Sequence, residues 1–200
     1  MVGSRGPLPR RIVLASASPR RRDLLRTAGF EVVIRPAEID ELTDGLPPRE
    51  LVAANAERKA RHVATMLRGD LVLGADTVVV LDGEILGKPR DRSHAAEMLG
   101  RLSGRVHEVL TGVCLVRGGS KKICLFVEST RVSFRSLDGA MIRAYLAEID
   151  PLDKAGSYAA QEDQGRLIER IEGSLENVIG LPVARIMEAL RQHFTEEFAG

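Results

Sequence analysis

Residues 71–80 read Leu-Val-Leu-Gly-Ala-Asp-Thr-Val-Val-Val. A run of this apolar, β-branched character fits a strand buried on both faces, inside a sheet that other elements must cover. One charge, Asp76, interrupts it. A carboxylate there has weak strand propensity and a large desolvation cost, so it needs a metal, a cation or a bound ligand beside it. The plainer alternative is an Asp at a strand end or bulge, capped by backbone. The chain has 200 residues, 44% of them hydrophobic and 28% charged, enough for one domain or one domain with two lobes.

The flanking segments supply the cover. Residues 11–15 and 30–34 read as short strands around a helix that opens with Ser18 as N-cap and Pro19 at its first position, with Gly29 as its stop. Residues 37–46 are acidic and turn-rich, 47–67 form a long helix, and Asp82-Gly83 is a tight turn into a return strand at 84–86. A helix capped by Asp91 runs to 102. Strands at 106–116 and 122–134 flank a Gly-Gly-Ser hairpin, and a helix covers 137–149. Strands are expected at 156–161 and 167–171, and a closing helix at 181–193. Alternating helices and strands with two hairpins predict a mixed sheet in an α/β fold. A three-residue hairpin loop would set Arg117 opposite Lys121 and Cys114 opposite Cys124, both thiols being small buried side chains.

Composition excludes several functions. The net charge is only +1, aromatics are 4% and Trp is absent, which argues against nucleic-acid binding. No apolar run is long enough for a membrane span. Residues 1–10 are rich in Gly, Pro and Arg, lack an apolar signal-peptide core, and read as a mobile arm ahead of a single domain over 11–200. The four histidines show no metal-ligand spacing with the two cysteines, and no Gly-x-Ser-x-Gly elbow occurs.

What remains points to phosphate chemistry. Ser16, Ser18, Arg20 and Arg21 stand where a strand passes into a helix, whose free N–H groups and positive dipole end favour anions. Cations at a helix N-terminus oppose that dipole, so stability alone does not explain the arginines. The segment is neither a Walker A loop nor a dinucleotide fingerprint. Asn55 and Lys59, four apart, share a helix face; the alanines around Lys59 allow it to reach inward, while a solvated surface lysine is the default reading. Lys88, between Gly87 and Pro89, is a candidate phosphate ligand, and Gln161 a candidate for reading a base edge. The carboxylates Glu38, Asp40 and Glu41 suit a hard cation such as Mg²⁺ if a phosphate site is near, and are otherwise a solvated loop.

Taken in order, Ser-x-Ser-Pro-Arg-Arg at 16–21, Asn-Ala-x-x-Lys-Ala at 55–60, Gly-Ala-Asp-Thr-Val-Val at 74–79, Gly-Lys-Pro at 87–89, Ser-Gly-x-x-His-x-Val-x-Thr-Gly at 103–112, Asp-Lys-Ala-Gly-x-Tyr at 153–158 and Asn-Val-x-Gly-Leu-Pro at 177–182 resemble the Maf family. The resemblance runs from residue 11 over nearly the whole chain. It implies a fold similar to inosine triphosphate pyrophosphatases, with an elongated mixed sheet, flanking helices and two lobes around a cleft. It implies a cytoplasmic, metal-dependent nucleoside triphosphate pyrophosphatase using Mg²⁺ or Mn²⁺, a family link to inhibition of septum formation and, by resemblance only, a homodimer.

Members acting on dTTP and UTP carry Arg, Thr and Gln at three specificity positions, and this chain has Arg20, Thr77 and Gln161 there. Glu162 and Asp163 depart from the Gln-Gly that many members have at that point. By the same resemblance Asp76 is the proton acceptor, and Ser16, Ser18, Arg20, Arg21, Lys59 and Lys88 hold the triphosphate. Asp76 with Glu41 or Asp40 is the expected metal set. The rival reading is a nucleotide-sensing interaction protein in septum control with little turnover.

Overall fold

A computed structural model describes residues 10–194; most of the segment expected to be a mobile arm lies outside them. The elements in chain order are β1 (Arg11–Leu14), α1 (Pro19–Thr27), β2 (Glu31–Ile34), α2 (Pro48–Ala64), β3 (Leu71–Leu81), β4 (Glu84–Leu86), α3 (Arg92–Leu102), β5 (Val106–Arg117), β6 (Ile123–Phe134), α4 (Gly139–Glu148), β7 (Ile168–Glu172), α5 (Leu175–Ile179) and α6 (Val183–His193). The seven strands form one sheet in the order β2-β1-β3-β5-β6-β7, with β4 also paired to β3. β1 is parallel to β2 and β3, and the remaining pairs are antiparallel. The expected mixed α/β sheet is what forms.

Local chemistry sets most boundaries. Ser18, Asp91 and Asp138 each cap a helix through the side-chain oxygen. Asp82 and Gly83 both have positive φ, the geometry a two-residue turn between right-twisted strands needs.

Strand β3 organises the interior through its two-residue period. Leu71, Leu73 and Ala75 face a core built from α1 and α6, including Leu25, Ile186, Leu190 and Phe194. Val79 and Leu81, on the same face, enter a second core with Leu99, Leu102, Tyr145 and Leu146 of α3 and α4. These are the two lobes, and Thr77 lies between them. Val72, Val78 and Val80 face the opposite way, toward α2.

Helix α2 lies against that face because the sheet offers no side chain at two positions. A Cβ on Gly74 would stand 2.3 Å from the Ala56 carbonyl oxygen, and one on Gly112 would stand 2.2 Å from that of Val52. Asp76 sits directly across from Gly112 in the β3/β5 ladder, so its carboxylate lies beneath the same helix.

The other edge of β3 is interrupted. β5 covers one edge from Leu71 to Val80. On the opposite edge β1 pairs only with Val72 and Leu73, and β4 begins at Val79. Between them no strand pairs with β3, and the cleft opens there.

Two sequence expectations fail. The connection between β5 and β6 is longer than three residues, covering 118–122, and Cys114 faces Leu125 while Cys124 faces Leu115. The loop is docked onto the start of β3 through hydrogen bonds between Gly69, Asp70 and Gly118, and that docking sets the register. The cysteines therefore lie on opposite faces of the sheet, both as free thiols, with Cys114 pushed up to about 12 by burial. The strand expected at 156–161 is absent: 3₁₀ turns at Ala155–Ser157 and Ala160–Glu162 replace it. Gly156 and Ser157 both have positive φ, which an extended strand does not allow. No described helix is long and apolar enough to cross a membrane.

Gly112→Ala is expected to destabilise the fold by about 1–3 kcal/mol through overpacking against α2. Thermal unfolding checks it, at roughly 2–4 °C of melting temperature per kcal/mol for a chain of this size. An unchanged melting temperature would show that α2 moves away freely.

Candidate active site

The cleft has a volume of about 810 Å³ and is lined from both lobes, including Ser16, Arg20, Glu41, Asp76, Lys88 and Gln161. At its floor lies the Asp76 carboxylate, 7% exposed. One oxygen accepts from Lys59 Nζ at 2.9 Å and the other from Asn55 Nδ2 at 3.0 Å. Lys59 is 6% exposed, so the default reading of a solvated lysine is wrong. Small residues around it on α2 let that helix pack closely enough for the stem to run along the sheet and the ammonium to meet Asp76.

Asn55 does more than hold Asp76. Its Oδ1 accepts from Leu42 N at 2.8 Å and its Nδ2 also donates to the Leu42 carbonyl at 2.9 Å. This double bond to the backbone ties the acidic loop to α2 and brings Glu41 to Lys59, at 2.7 Å from Nζ. Burial pushes the Glu41 carboxyl up, but the Lys59 contact, helped by Lys88 and Arg21, outweighs it and leaves the group below its ordinary range. Asp40, by contrast, is exposed and does not line the cleft.

The two arginines have separate tasks. Arg21 donates to Ser16 Oγ, the Ala75 carbonyl, Thr77 Oγ1 and the Gly180 carbonyl, at 3.0–3.2 Å. Its guanidinium closes the gap in the β3 edge and is spent on protein acceptors. Burial pulls its pKa down, partly offset by Asp76 and Glu41. Arg20 reaches across the mouth to Asp153, with NH1 to Oδ2 at 2.7 Å and NH2 to the Asp153 carbonyl at 3.2 Å. Lys154 Nζ holds the other Asp153 oxygen at 2.6 Å and the Asp150 carbonyl at 2.6 Å.

The remaining candidates divide similarly. Ser16 Oγ accepts from Ser18 N and from Arg21, while Ser18 Oγ caps α1. Thr77 Oγ1 meets Thr111 Oγ1 at 3.0 Å and the Gly180 carbonyl at 3.3 Å. Lys88 and Gln161 stand exposed on the cleft rim.

Glu162 and Asp163 do not line the cleft. Asp163 is buried and accepts from the backbone N–H groups of Gly165, Leu167 and Ile168 at 2.9–3.1 Å. Asp163 thus braces the turn behind Gln161, while Glu162 is exposed beside it.

Sequence reasoning missed the Arg20–Asp153 bridge and the service of Asn55 to the acidic loop. Both are long-range pairings, 133 residues apart in the first case, and no local pattern announces them. It also missed the contact of His107 Nε2 with the Tyr158 hydroxyl at 2.9 Å, which fixes a cleft-lining ring. His107 is brought down to about 4 by burial, hence neutral.

Among the described residues no group of three or more His, Cys, Asp and Glu side chains converges on one point as a metal site. Glu41 and Asp76 nonetheless present carboxylate oxygens to a shared point, the position of Lys59 Nζ. Two carboxylates complemented by substrate phosphates are a donor set that suits Mg²⁺ or Mn²⁺. The pair fits the cation; Asp40 does not join it.

The sequence model of the Maf-like protein family matches residues 11–193. The dTTP/UTP pyrophosphatase of Pelotomaculum thermopropionicum is 50% identical over 182 residues, covering 90% of this chain and 95% of its own. That of Symbiobacterium thermophilum is 47% identical over 190 residues, covering 94% and 97%. The dTTP/UTP pyrophosphatase of Pyrococcus abyssi is 42% identical over 183 residues, covering 92% and 96%. Among solved structures, the Ham1 protein of Staphylococcus aureus is 15% identical, with a TM-score of 0.46 over 62% of this chain and 71% of its own.

The Asp153 carboxyl gives a pH prediction. Burial alone would raise its pKa; the hydrogen bonds from Lys154 and Arg20 outweigh that and hold it below its ordinary value of 3.8. A depressed folded-state pKa adds stability above the unfolded value, and that stability is lost as pH falls through the folded one. Urea midpoints should therefore separate the wild type from Asp153→Asn at neutral pH and converge in strong acid. A gap that persists unchanged would mean that the bridge contributes nothing to it.

Proposed function

The chain belongs to the Maf-like family, and on that premise we infer that it hydrolyses dTTP and UTP to the nucleoside monophosphate and pyrophosphate. The observation that carries this reading is the buried Asp76 carboxylate at the floor of a cleft that Lys59, Lys88 and Arg20 surround with positive charge. A docking surface has no need of a desolvated carboxylate, whereas attack by water on phosphorus needs a proton acceptor beside cations.

In this reading Asp76 orients the attacking water at the α-phosphorus and takes its proton. In the free protein Lys59 and Asn55 hold the carboxylate, one oxygen each, so it is already aligned when substrate arrives. Arg20 and Lys88 at the rim and Lys59 at the floor bind the polyphosphate and offset the charge that grows on the leaving pyrophosphate. Ser16 and Ser18 shape the phosphate pocket chiefly by fixing Arg21 and the start of α1. A divalent cation would be held by Glu41 and Asp76 and would polarise phosphate oxygens and acidify its bound water.

Base selection falls to Arg20, Thr77 and Gln161. Gln161 is the one with an amide able to both donate and accept on a base edge. Thr77 Oγ1 is held by Arg21, Thr111 and Gly180, so it acts as a fixed wall. Matching Arg, Thr and Gln to the pyrimidine-specific group supports dTTP and UTP over 7-methylated guanine nucleotides.

Two outcomes check these assignments. Asp76→Asn is expected to fold and to lose roughly 100-fold or more of its turnover, scored as pyrophosphate released from dTTP with Mg²⁺; near-normal turnover would remove Asp76 from the proton transfer. Gln161→Glu is expected to lower kcat/KM for dTTP and UTP relative to other triphosphates. An unchanged ranking would take Gln161 out of base selection. Free phosphate with nucleoside diphosphate as the product would place the attack at the wrong phosphorus, and tight binding without turnover would favour a nucleotide sensor.

A further inference from the structure

The Lys59 ammonium has three N–H bonds, and the structure supplies three oxygens for them. They are Glu41 Oε1 at 2.7 Å, Asp76 Oδ1 at 2.9 Å and the Ala75 carbonyl at 3.4 Å. Two anionic oxygens and a carbonyl around one point are the kind of ligands a hard dication takes. Lys59 cannot leave without consequence. Glu41 and Asp76 would then face each other as like charges at a site where Asp76 is almost wholly desolvated.

We propose that Lys59 is a placeholder for the divalent cation: in the free protein its ammonium neutralises Glu41 and Asp76, and metal enters only when a polyphosphate draws that ammonium away. This rests on the pyrophosphatase reading, and it extends that reading to the order and coupling of ligand binding.

The argument is one of charge balance. A cation arriving alone must displace an ammonium that already has three acceptors, and the displaced charge has no other anion nearby. The carboxylates close to Nζ are the two it already holds; Asp153, the other cleft-lining carboxylate, is taken by Arg20 and Lys154. Substrate changes this. A triphosphate brings several negative charges into the cleft, so Lys59 can turn from carboxylates to phosphate oxygens while the metal takes its place. Metal and nucleotide are then mutually required. The protein alone binds Mg²⁺ or Mn²⁺ weakly, and each ligand tightens the other by the same factor.

Placement on α2 makes the exchange local. Nζ sits at the end of a long, flexible stem, and Asn55 stays on Asp76 Oδ2 throughout. The carboxylate therefore keeps one fixed hydrogen bond while its other oxygen changes partner from ammonium to metal. Arg21 donates to the same Ala75 carbonyl at 3.0 Å, so that oxygen remains satisfied when Lys59 departs.

The test is Mn²⁺ binding to metal-free protein, read from the electron paramagnetic resonance of unbound Mn²⁺, with and without a non-hydrolysable α,β-methylene analogue of dTTP. Wild type is expected to bind Mn²⁺ roughly tenfold or more tightly with the analogue than without it. Lys59→Met is expected to bind Mn²⁺ alone roughly tenfold tighter than wild type, because two unneutralised carboxylates then face the cation. Lys59→Gln, which keeps a hydrogen-bond donor without the charge, should behave similarly and serves if the methionine variant does not fold. Equal or weaker Mn²⁺ binding by a folded Lys59 variant would overturn the placeholder role, as would equal Mn²⁺ affinity of wild type with and without the analogue. A separate assay of pyrophosphate release from dTTP by wild type tells the two readings apart. Tighter metal binding by the variant without wild-type turnover would retain the exchange and sink the activity, and turnover without tightening would do the reverse.

Discussion

A carboxylate inside a sheet is the constraint from which the rest of this structure follows. Asp76 has lost nearly all contact with water, and a lone buried charge of that kind costs several kcal/mol unless it is paired and hydrogen-bonded. Its partners, Lys59 and Asn55, come from α2, so α2 must lie flat on β3 and β5. It does so because Gly74 and Gly112 leave room for its backbone and because Ala56 and Ala60 face the sheet. Substituting at any of these positions moves the helix, and the helix carries the charge that makes Asp76 tolerable. Packing and electrostatics are thus one requirement here, met by small residues on both sides of a single contact.

The same strand makes the cleft. Because β1 ends and β4 begins with a space between them, the backbone of β3 is unpaired on one edge at Ala75–Thr77. Unpaired carbonyls inside a protein must find donors. Ala75 finds two, Arg21 and Lys59, and both are long cations that also reach toward the site. An irregularity in strand pairing in this way gathers two cations at the site. The alternation of side chains adds the rest: Asp76 points beneath α2, Thr77 points into the space between the two cores on the other face, and the open edge joins the two environments.

Much of this was legible in the sequence, for physical reasons that are local. Helix caps at Ser18 and Asp91, the Asp82-Gly83 turn and the apolar run around Asp76 each depend on a few adjacent residues. What was not legible depends on distant partners. The hairpin register followed from docking its loop on Asp70, which loop length alone does not reveal. The segment at 156–161 has the composition of a strand, with Tyr158 and small residues, yet positive φ at Gly156 and Ser157 and the His107–Tyr158 contact fold it into two turns. Lys59 was misjudged because spacing identifies which residues share a helix face without saying which face is buried. The alanines on either side were the available signal. They mark a helix surface that something approaches closely, and a lysine among them has to follow the sheet inward.

Neighbouring arginines show why motif and role are separate matters. Successive residues on a helix project about 100° apart, so Arg20 and Arg21 cannot share a partner set. Arg21 points into the gap and spends its donors on four protein acceptors. A phosphate that claimed it would have to break the wall of the site, so its part is to make the open edge of β3 rigid. Arg20 points across the mouth, where its acceptors are the half-exposed carboxylate and the backbone carbonyl of a single residue, Asp153. Exposed pairs of this kind are worth little, and a triphosphate offers several competing oxygens of the same type with better charge. The exchange costs little because Lys154 remains on Asp153 after Arg20 leaves, so no carboxylate is left alone. On the pyrophosphatase reading, Arg20 is therefore the one of the two that a polyphosphate would recruit, and the bridge to Asp153 holds it at the mouth of the cleft.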